Sequence, residues 1–125
     1  MRIHRLRRFL LLPFLGALRV LAAPLDLADA TVVVPPGLDG PERKAAVMLV
    51  EEVEKRSHLR WTLAEQAPPD GRAAVFLGRR AALTTAYPRA AAALPPAPVG
   101  AEGYAIGTDA AGRIVVGGND ARGVL

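Results

Sequence analysis

The sequence contains no cysteine, only 5% aromatic residues and two histidines among its 125 residues. The absence of cysteine excludes disulfides, thiolate nucleophiles, cysteine-ligated zinc and a lipid anchor on a cleavage-point cysteine. His4 lies near the N-terminus, and His58 follows a predicted helix, where a cation suits the negative end of the helix dipole. His58 has no partners in the sequence that would complete a metal site. We therefore predict no metal and no cofactor.

Acidic residues are present, but the sequence gives none of them a catalytic setting. Hydrolysis by the usual routes needs two carboxylates converging on a cleft, or a nucleophile beside a base. Asp39 and Asp120 are predicted helix caps, and Asp70 and Asp109 lie in predicted turns. The glutamates at 51–54 line the solvated side of a predicted helix. We therefore predict no catalytic residue in this chain.

The formal net charge of +4 does not indicate a nucleic-acid partner, because most of it lies in the first 30 residues. These hold five arginines against two aspartates, so they carry +3 and the remainder carries +1. A balance this small predicts a surface of mixed charge on residues 31–125.

Residues 1–30 have the three-part pattern of a signal peptide. A basic segment over 1–8 precedes an apolar segment over 9–23, which is too short to span a membrane comfortably. Small residues allow cleavage after Ala22 or after Ala30. The run at 7–10 partly matches a twin-arginine signal, although an ordinary secretory leader is the simpler interpretation. We expect export to the periplasm or the extracellular space, with no stable membrane span.

Residues 31–125 predict one mixed α/β domain. Strands are predicted at 31–34, at 59–63 and at 73–77, the last buried on both faces and ended by Gly78. After the strong turn at 68–71, the chain enters this third strand. Residues 79–93 are expected to be helical in part, with a break at Pro88. Strands alternating with helices favour a mixed sheet with helices packed against it.

A helix is predicted over 42–57, with Asp39 or Gly40 as its cap and Pro41 in its first turn. Its apolar residues recur at helical spacing and predict one buried stripe: Ala46, Leu49, Val50 and Val53. On the solvent side, we expect the ion pairs Glu51 with Lys55 and Glu52 with Arg56.

The end of the sequence predicts a β-hairpin followed by a helix. Apolar runs at 104–108 and 113–116 flank a four-residue type I turn that begins with Asp109 and ends with Gly112. A glycine pair and Asn119-Asp120 then predict a helix start near Ala121. Because the sequence stops one turn into that helix, we expect these residues to be the front of a longer protein, truncated at its C-terminal side.

Two turns and one pair of aromatic residues each allow a binding role or a structural one. The turns at 78–80 and 117–120 could hold an anion, but neither has dinucleotide or P-loop spacing, so structural turns are favoured. Trp61 and Tyr104 could stack on a sugar, but their alternating positions beside Leu63 and Ile106 favour a place in the core.

Several segments in order resemble the small α/β domain that precedes the catalytic barrel in β-N-acetylhexosaminidases of glycoside hydrolase family 20. A similar domain precedes the barrel in bacterial α-glucuronidases. The matching segments are Val32-Val33-Val34-Pro35, the helix with Ala45-Ala46 and Leu49 leading to Glu54-Lys55-Arg56, Val75-Phe76-Leu77-Gly78, Glu102-Gly103-Tyr104-Ala105-Ile106, and 114–125. The resemblance covers residues 31–125 and implies a hexosaminidase N-terminal-domain-like fold.

The resemblance also implies a function. The domain would be a non-catalytic accessory part of an exported glycosidase, packed against a (β/α)8 barrel of the same parent chain that acts on a carbohydrate. Family 20 enzymes use an Asp-Glu pair on that barrel with the substrate's acetamido group as nucleophile, and no residue here inherits those roles. The alternative is a free-standing exported module that binds a glycan or another protein through a sheet edge or Trp61.

Overall fold

The computed structural model describes residues 24–38, 40–97 and 99–125. The predicted leader over 1–23, with its possible cleavage point after Ala22, and the predicted cap Asp39 lie outside them. The elements in chain order are β1 (Thr31–Val33), α1 (Gly40–Ser57), β2 (Thr62–Ala64), β3 (Ala74–Arg79), α2 (Arg80–Ala86), α3 (Pro88–Ala91), β4 (Tyr104–Thr108) and β5 (Ile114–Gly118).

The strands form one mixed sheet in the order β2-β1-β3-β5-β4. β1 pairs in parallel with β2 and β3, and β3 pairs in parallel with β5. β4 pairs antiparallel with β5 and forms one edge. The predicted mixed sheet with packed helices is thus confirmed, as is the break at Pro88, which separates α2 from α3.

Each face of the sheet carries its own apolar core, because neighbouring strand residues point to opposite faces. The first core lies under α2 and α3: Val33, Ala74, Phe76, Leu83, Ala90, Ala91, Leu94, Ala105 and Val115. The second core lies under α1: Val32, Val34, Ala45, Ala46, Leu77 and Val124. Phe76 and Leu83 are almost completely buried in the first core.

Helix α1 confirms most of its predicted pattern. Ala46 is fully buried, and Leu49, Val50 and Val53 are half-buried along the predicted stripe. Arg56 pairs with Glu52 at 2.8 Å, as expected. The expected pair of Glu51 with Lys55 is wrong, because the Lys55 ammonium lies 3.5 Å from Glu52 instead, one residue nearer along the helix.

Strand β3 extends past the predicted end at Gly78. Gly78 pairs with Gly117 of β5, and Arg79 pairs with Gly118, so the ladder continues for two more residues. A side chain at Gly78 would meet the Pro35 ring at 3.0 Å. This glycine therefore allows the loop after β1 to pack closely rather than ending the strand.

The C-terminal hairpin forms as predicted. The Gly112 N–H donates to the Asp109 carbonyl at 2.9 Å, and Gly112 has a φ of 78°, the left-handed conformation that suits glycine. Asp109 and Arg113 also close the ladder through a backbone bond of 2.9 Å. Beyond β5, the described residues form a turn over 122–124 and not the predicted helix.

Candidate functional site

Beside α1, one side of β4 and β5 is an apolar surface that no helix of the described residues covers. We call it the open face and define it by Tyr104, Ile106, Val116, Met48 and Leu125. Ile106 lies opposite Val116 in the β4–β5 ladder, so the two side chains share one side of the sheet. Tyr104 and Ile106 are 59% and 58% exposed, because α1 covers the β2, β1 and β3 part of this side.

A groove runs along the open face between α1 and β5. Its volume is about 360 Å³, and its lining is largely apolar: Ala45, Met48, Leu49, Glu52, Leu77, Val116, Val124 and Leu125. Val124 is buried at the end of the groove, whereas Leu125 is 65% exposed. A contiguous apolar surface of this kind is typical of a contact with another protein segment.

Close glycine contacts hold the last turn against the sheet. A Cβ on Gly118 would lie 2.6 Å from the backbone of Gly123, and one on Gly123 would lie 2.5 Å from the Gly103 carbonyl. The Asp120 carboxylate accepts the N–H groups of Arg122 at 3.0 Å and Gly123 at 2.9 Å. Asp120 thus accepts N–H groups as a cap residue does, but it closes a turn and not the predicted helix. The backbone of 123–124 lies against Gly118, at the position considered for an anion.

The hydrogen bonds to Asp120 affect its acidity. The Gly123 N–H has the largest effect and lowers the pKa of Asp120. Burial opposes it, and the N–H groups of Glu102 and Arg122 and the charge of Arg122 lower the pKa further, so that the pKa is lowered overall. Asp120 therefore stays ionised at neutral pH and keeps the turn closed. This turn directs Val124 and Leu125 to the open face.

A second group of interest is an ion pair between a buried acid and a partly exposed arginine at the carboxyl ends of the parallel strands. Glu42, in the first turn of α1, is only 1% exposed and accepts the Arg79 N–H at 3.1 Å. Its other oxygen lies 3.1 Å from the Arg79 Nε. Arg80, next in the chain, donates to the Pro95 carbonyl. The structural interpretation of the turn at 78–80 is therefore confirmed, since both arginines already hold protein groups.

The sequence did not predict the burial of Glu42. Its position favoured an exposed acid near the positive end of the helix dipole, and its partner is 37 residues away along the chain. The available signal was Arg79 itself, a charged residue directly after a fully apolar strand.

A large cavity, of about 430 Å³, lies between the turn at 68–70 and α3. Arg113 lines it, with its guanidinium 2.8 Å from Asp109 and 5.1 Å from the Phe76 ring centre. Burial would raise the pKa of Asp109, but the N–H groups and the charge of Arg113, with the Ala111 N–H, together lower it. Asp109 is thus ionised at neutral pH as the partner of Arg113, and it is not a proton-transfer group.

Tyr87 also lines this cavity and has a structural role. Its hydroxyl lies 2.7 Å from the Val34 carbonyl and 2.5 Å from the Glu65 carbonyl, and it joins the ends of β1 and β2 to the break between α2 and α3. Burial, with a smaller contribution from Glu65, raises the pKa of Tyr87. A neutral phenol that contacts two carbonyls serves packing and does not provide a base.

The two aromatic residues considered as sugar platforms differ in their surroundings. Trp61 is half-buried against the second core and its indole N–H donates to the Leu27 carbonyl at 2.7 Å, which agrees with the core interpretation. For Tyr104 the core interpretation is wrong, because no element covers the β4 part of the open face. His58 is exposed and ends α1 in the left-handed conformation, with a φ of 59°.

The described part of the chain contains no group of three or more acidic or histidine side chains placed to hold a metal ion. None of its helices combines the length and the apolar character needed to cross a bilayer. No family model, curated protein or solved structure matches this chain. The resemblance to glycosidase accessory domains therefore rests on the sequence motifs alone.

Proposed function

We propose that this chain is the non-catalytic accessory domain of an exported glycoside hydrolase. In this proposal, the open face is the surface that packs against the catalytic (β/α)8 barrel of the same parent chain. The observation that carries the proposal is the open face itself, where Tyr104 and Ile106 stay exposed beside a groove that Val124 and Leu125 enter.

The chemistry of the described residues supports a non-catalytic role. Asp109 and Glu42 are the two buried carboxylates, and each is neutralised by an arginine of its own. Neither the groove nor the large cavity brings together two carboxylates, or a nucleophile and a base, as glycoside hydrolysis requires. The hydrolysis of O-glycosyl bonds is therefore assigned to the barrel.

The position of the last turn supports a partner within the same polypeptide. The capped turn at Asp120 delivers the chain directly to the groove, so a segment continuing from Leu125 would reach the open face without a long linker. Obligate contacts of this kind are more apolar than transient ones. The groove fits this description, since Glu52 is its single charged lining residue.

The size and activity of the native product test this proposal. An antibody against the domain should detect, in the source cells, a polypeptide longer than 125 residues by about 250, the typical size of such a barrel. The immunoprecipitate should hydrolyse a chromogenic N-acetylglucosaminide or glucuronide, and the 125-residue chain alone should not. A product of only 125 residues, or an inactive precipitate, would contradict the proposal.

The role of the open face is tested by substitution in the parent enzyme. Ile106→Asp places a charge in the proposed contact and should lower the Tm of the parent by several degrees while sparing the isolated chain. Ala81→Asp, on the exposed side of α2 across the sheet, is the matched control and should change neither. If the two substitutions lowered the Tm of the parent equally, the open face would not be the surface that contacts the barrel.

The second candidate is a free-standing exported module that binds a glycan or another protein. Its supporting observation is the exposed Tyr104 on an edge strand, where an aromatic ring is available for stacking on a sugar. This candidate predicts that the 125-residue chain is monodisperse and binds N-acetylglucosamine oligomers, with binding lost in Tyr104→Ala. Absence of binding in calorimetry, together with a longer native product, would reject it.

A further inference from the structure

We infer that the folded domain begins before residue 31, and that the exported chain is processed after Ala22 and not after Ala30. The inference rests on the proposed export of the domain. The sequence pattern accepts both positions, because Val20 with Ala22 and Ala28 with Ala30 each place small residues where a signal peptidase needs them. The packing of residues 26–30 favours cleavage at the first of these positions over the second.

Ala30 is part of the folded sheet. It is 1% exposed, and its carbonyl accepts the Thr62 N–H at 3.3 Å, which extends the β1–β2 ladder by one residue. The next residue, Thr31, donates its N–H to the Ala73 carbonyl at 3.1 Å. Cleavage after Ala30 would remove one of these bonds and convert the donor of the other into a chain terminus.

The Leu27 carbonyl is an acceptor for the Trp61 indole. The Nε1–H donates to the Leu27 carbonyl at 2.7 Å, across 34 residues of sequence. Trp61 is half-buried against the second core, so its ring would stay packed while its N–H lost its partner. Loss of the acceptor of a half-buried donor is destabilising, which makes residues 27–30 part of the folded domain.

The charge of the new N-terminus also disfavours cleavage after Ala30. Cleavage after Ala30 would place an ammonium group on Thr31, at the start of a strand that has β2 and β3 on its two sides. A charge between paired strands is costly to desolvate. Cleavage after Ala22 would place it beside Pro24 and Leu25, which are exposed.

The experiment is to express the full 125-residue precursor in a bacterium that has both export routes and to sequence the N-terminus of the exported product. We expect Ala23 as the first residue. An exported product that begins at Thr31 would overturn this inference and leave export itself intact. A chain retained in the cytoplasm with its leader uncut would overturn export, and the inference with it.

A matched pair of substitutions controls this experiment. Ala22→Phe blocks the first position and should leave uncut precursor, whereas Ala28→Phe blocks only the second and should give the wild-type product, since Ala28 is exposed. Loss of processing in Ala28→Phe, or undiminished export of a product beginning at Thr31 in Ala22→Phe, would contradict the inference.

The contribution of residues 24–30 to stability is measured separately in the exported product. Trp61→Phe keeps the ring but removes the indole donor, and should lower the Tm by about 5 °C if the bond to Leu27 holds the segment in place. Arg72→Ala, which removes only the exposed 3.8 Å contact with Asp29, should leave the Tm unchanged. An unchanged Tm in Trp61→Phe would show that the bond to Leu27 adds no stability and would remove it from the inference.

Discussion

The two faces of the sheet differ in how completely they are covered. On the first-core side, α2, α3 and the loop after them cover β3, β5 and β4, and Ala105 is 7% exposed. On the other side, α1 leaves β4 uncovered, and Ile106, the next residue of that strand, is 58% exposed. Within β4, side-chain size follows the same division, since Ala105 and Gly107 face the covered side and Tyr104 and Ile106 face the open side.

This division distinguishes the apolar residues of β4 that pack within the domain from those that do not. Ala105 and Gly107 are small because the loop at 93–95 lies directly on β4. Tyr104 and Ile106 are large although nothing in the described residues packs on them. An exposed pair of large apolar side chains costs solubility and adds little to the stability of the fold, which is why the proposed contact is placed on this surface.

The strongest test of the comparison is a truncation on each face. Phe76→Ala removes a ring that is 1% exposed in the first core and should reduce the free energy of unfolding by about 4 kcal/mol. Ile106→Ala removes a side chain that is already mostly in water and should cost less than about 1 kcal/mol. Urea denaturation measures both, and similar losses would mean that the open face belongs to the domain's own core.

The second test adds a methyl group to the covered face instead of removing a side chain from it. Gly107→Ala would place a methyl group against the Ala93 carbonyl, which is backbone and cannot move aside easily. We expect a loss of about 3 kcal/mol, the upper end of overpacking effects. Gly40→Ala, where a Cβ meets nothing within 4 Å, is the control and should be neutral. A stable Gly107→Ala variant would show that the loop can retreat from β4.

The third test concerns the polar end of the covered face. Asp109→Asn should cost about 2 kcal/mol at pH 7, because a charge-assisted bond to Arg113 is lost. The pKa of Asp109 is lowered in the folded state, so its contribution is complete above the unfolded pKa of about 3.9 and falls away as the pH drops below it.

Stability measured against pH checks this sign. The wild-type chain should lose stability below about pH 4, and Asp109→Asn should show a smaller loss over the same range. Asp70→Asn is the matched control, because the Asp70 side chain is 82% exposed and lies 3.8 Å from the same arginine. Equal changes in the two variants would mean that burial of the Asp109 pair is unimportant.

The smallest effect on stability is expected from Ile106→Thr on the open face. The substitution should leave the urea midpoint within error and reduce self-association of the 125-residue chain in sedimentation experiments. Leu63→Thr, on the opposite edge strand β2, is the control and should not change association. If Leu63→Thr reduces self-association equally, the association is not specific to the open face.

Local sequence signals predicted most of the elements. Turn chemistry at Asp109 and Gly112 located the hairpin, and the apolar stripe around Ala46 located α1. Both signals work because they depend on residues within a few positions of each other. The predicted end of β3 at Gly78 was wrong, since strand length here depends on pairing with β5, which lies about 40 residues further along the chain.

The features of the candidate site were less predictable. Alternation in β4 showed that Tyr104 and Ile106 share a side, but which side is covered depends on where helices pack. Glu42 looked like an ordinary helix-start acid, and its burial depends on Arg79. The open face could not be predicted as a surface, because it is defined by the absence of a neighbouring element and not by a motif.

The strand order also determines when the domain can fold during its synthesis. β3 has β1 and β5 on its two sides, and β5 is the last strand of the sheet to be made. Until Gly118 has been synthesised, β3 is an edge strand with the apolar run Ala74–Leu77 and no partner on one side. An unfinished chain is thus prone to pair with other chains until the β4–β5 hairpin is complete.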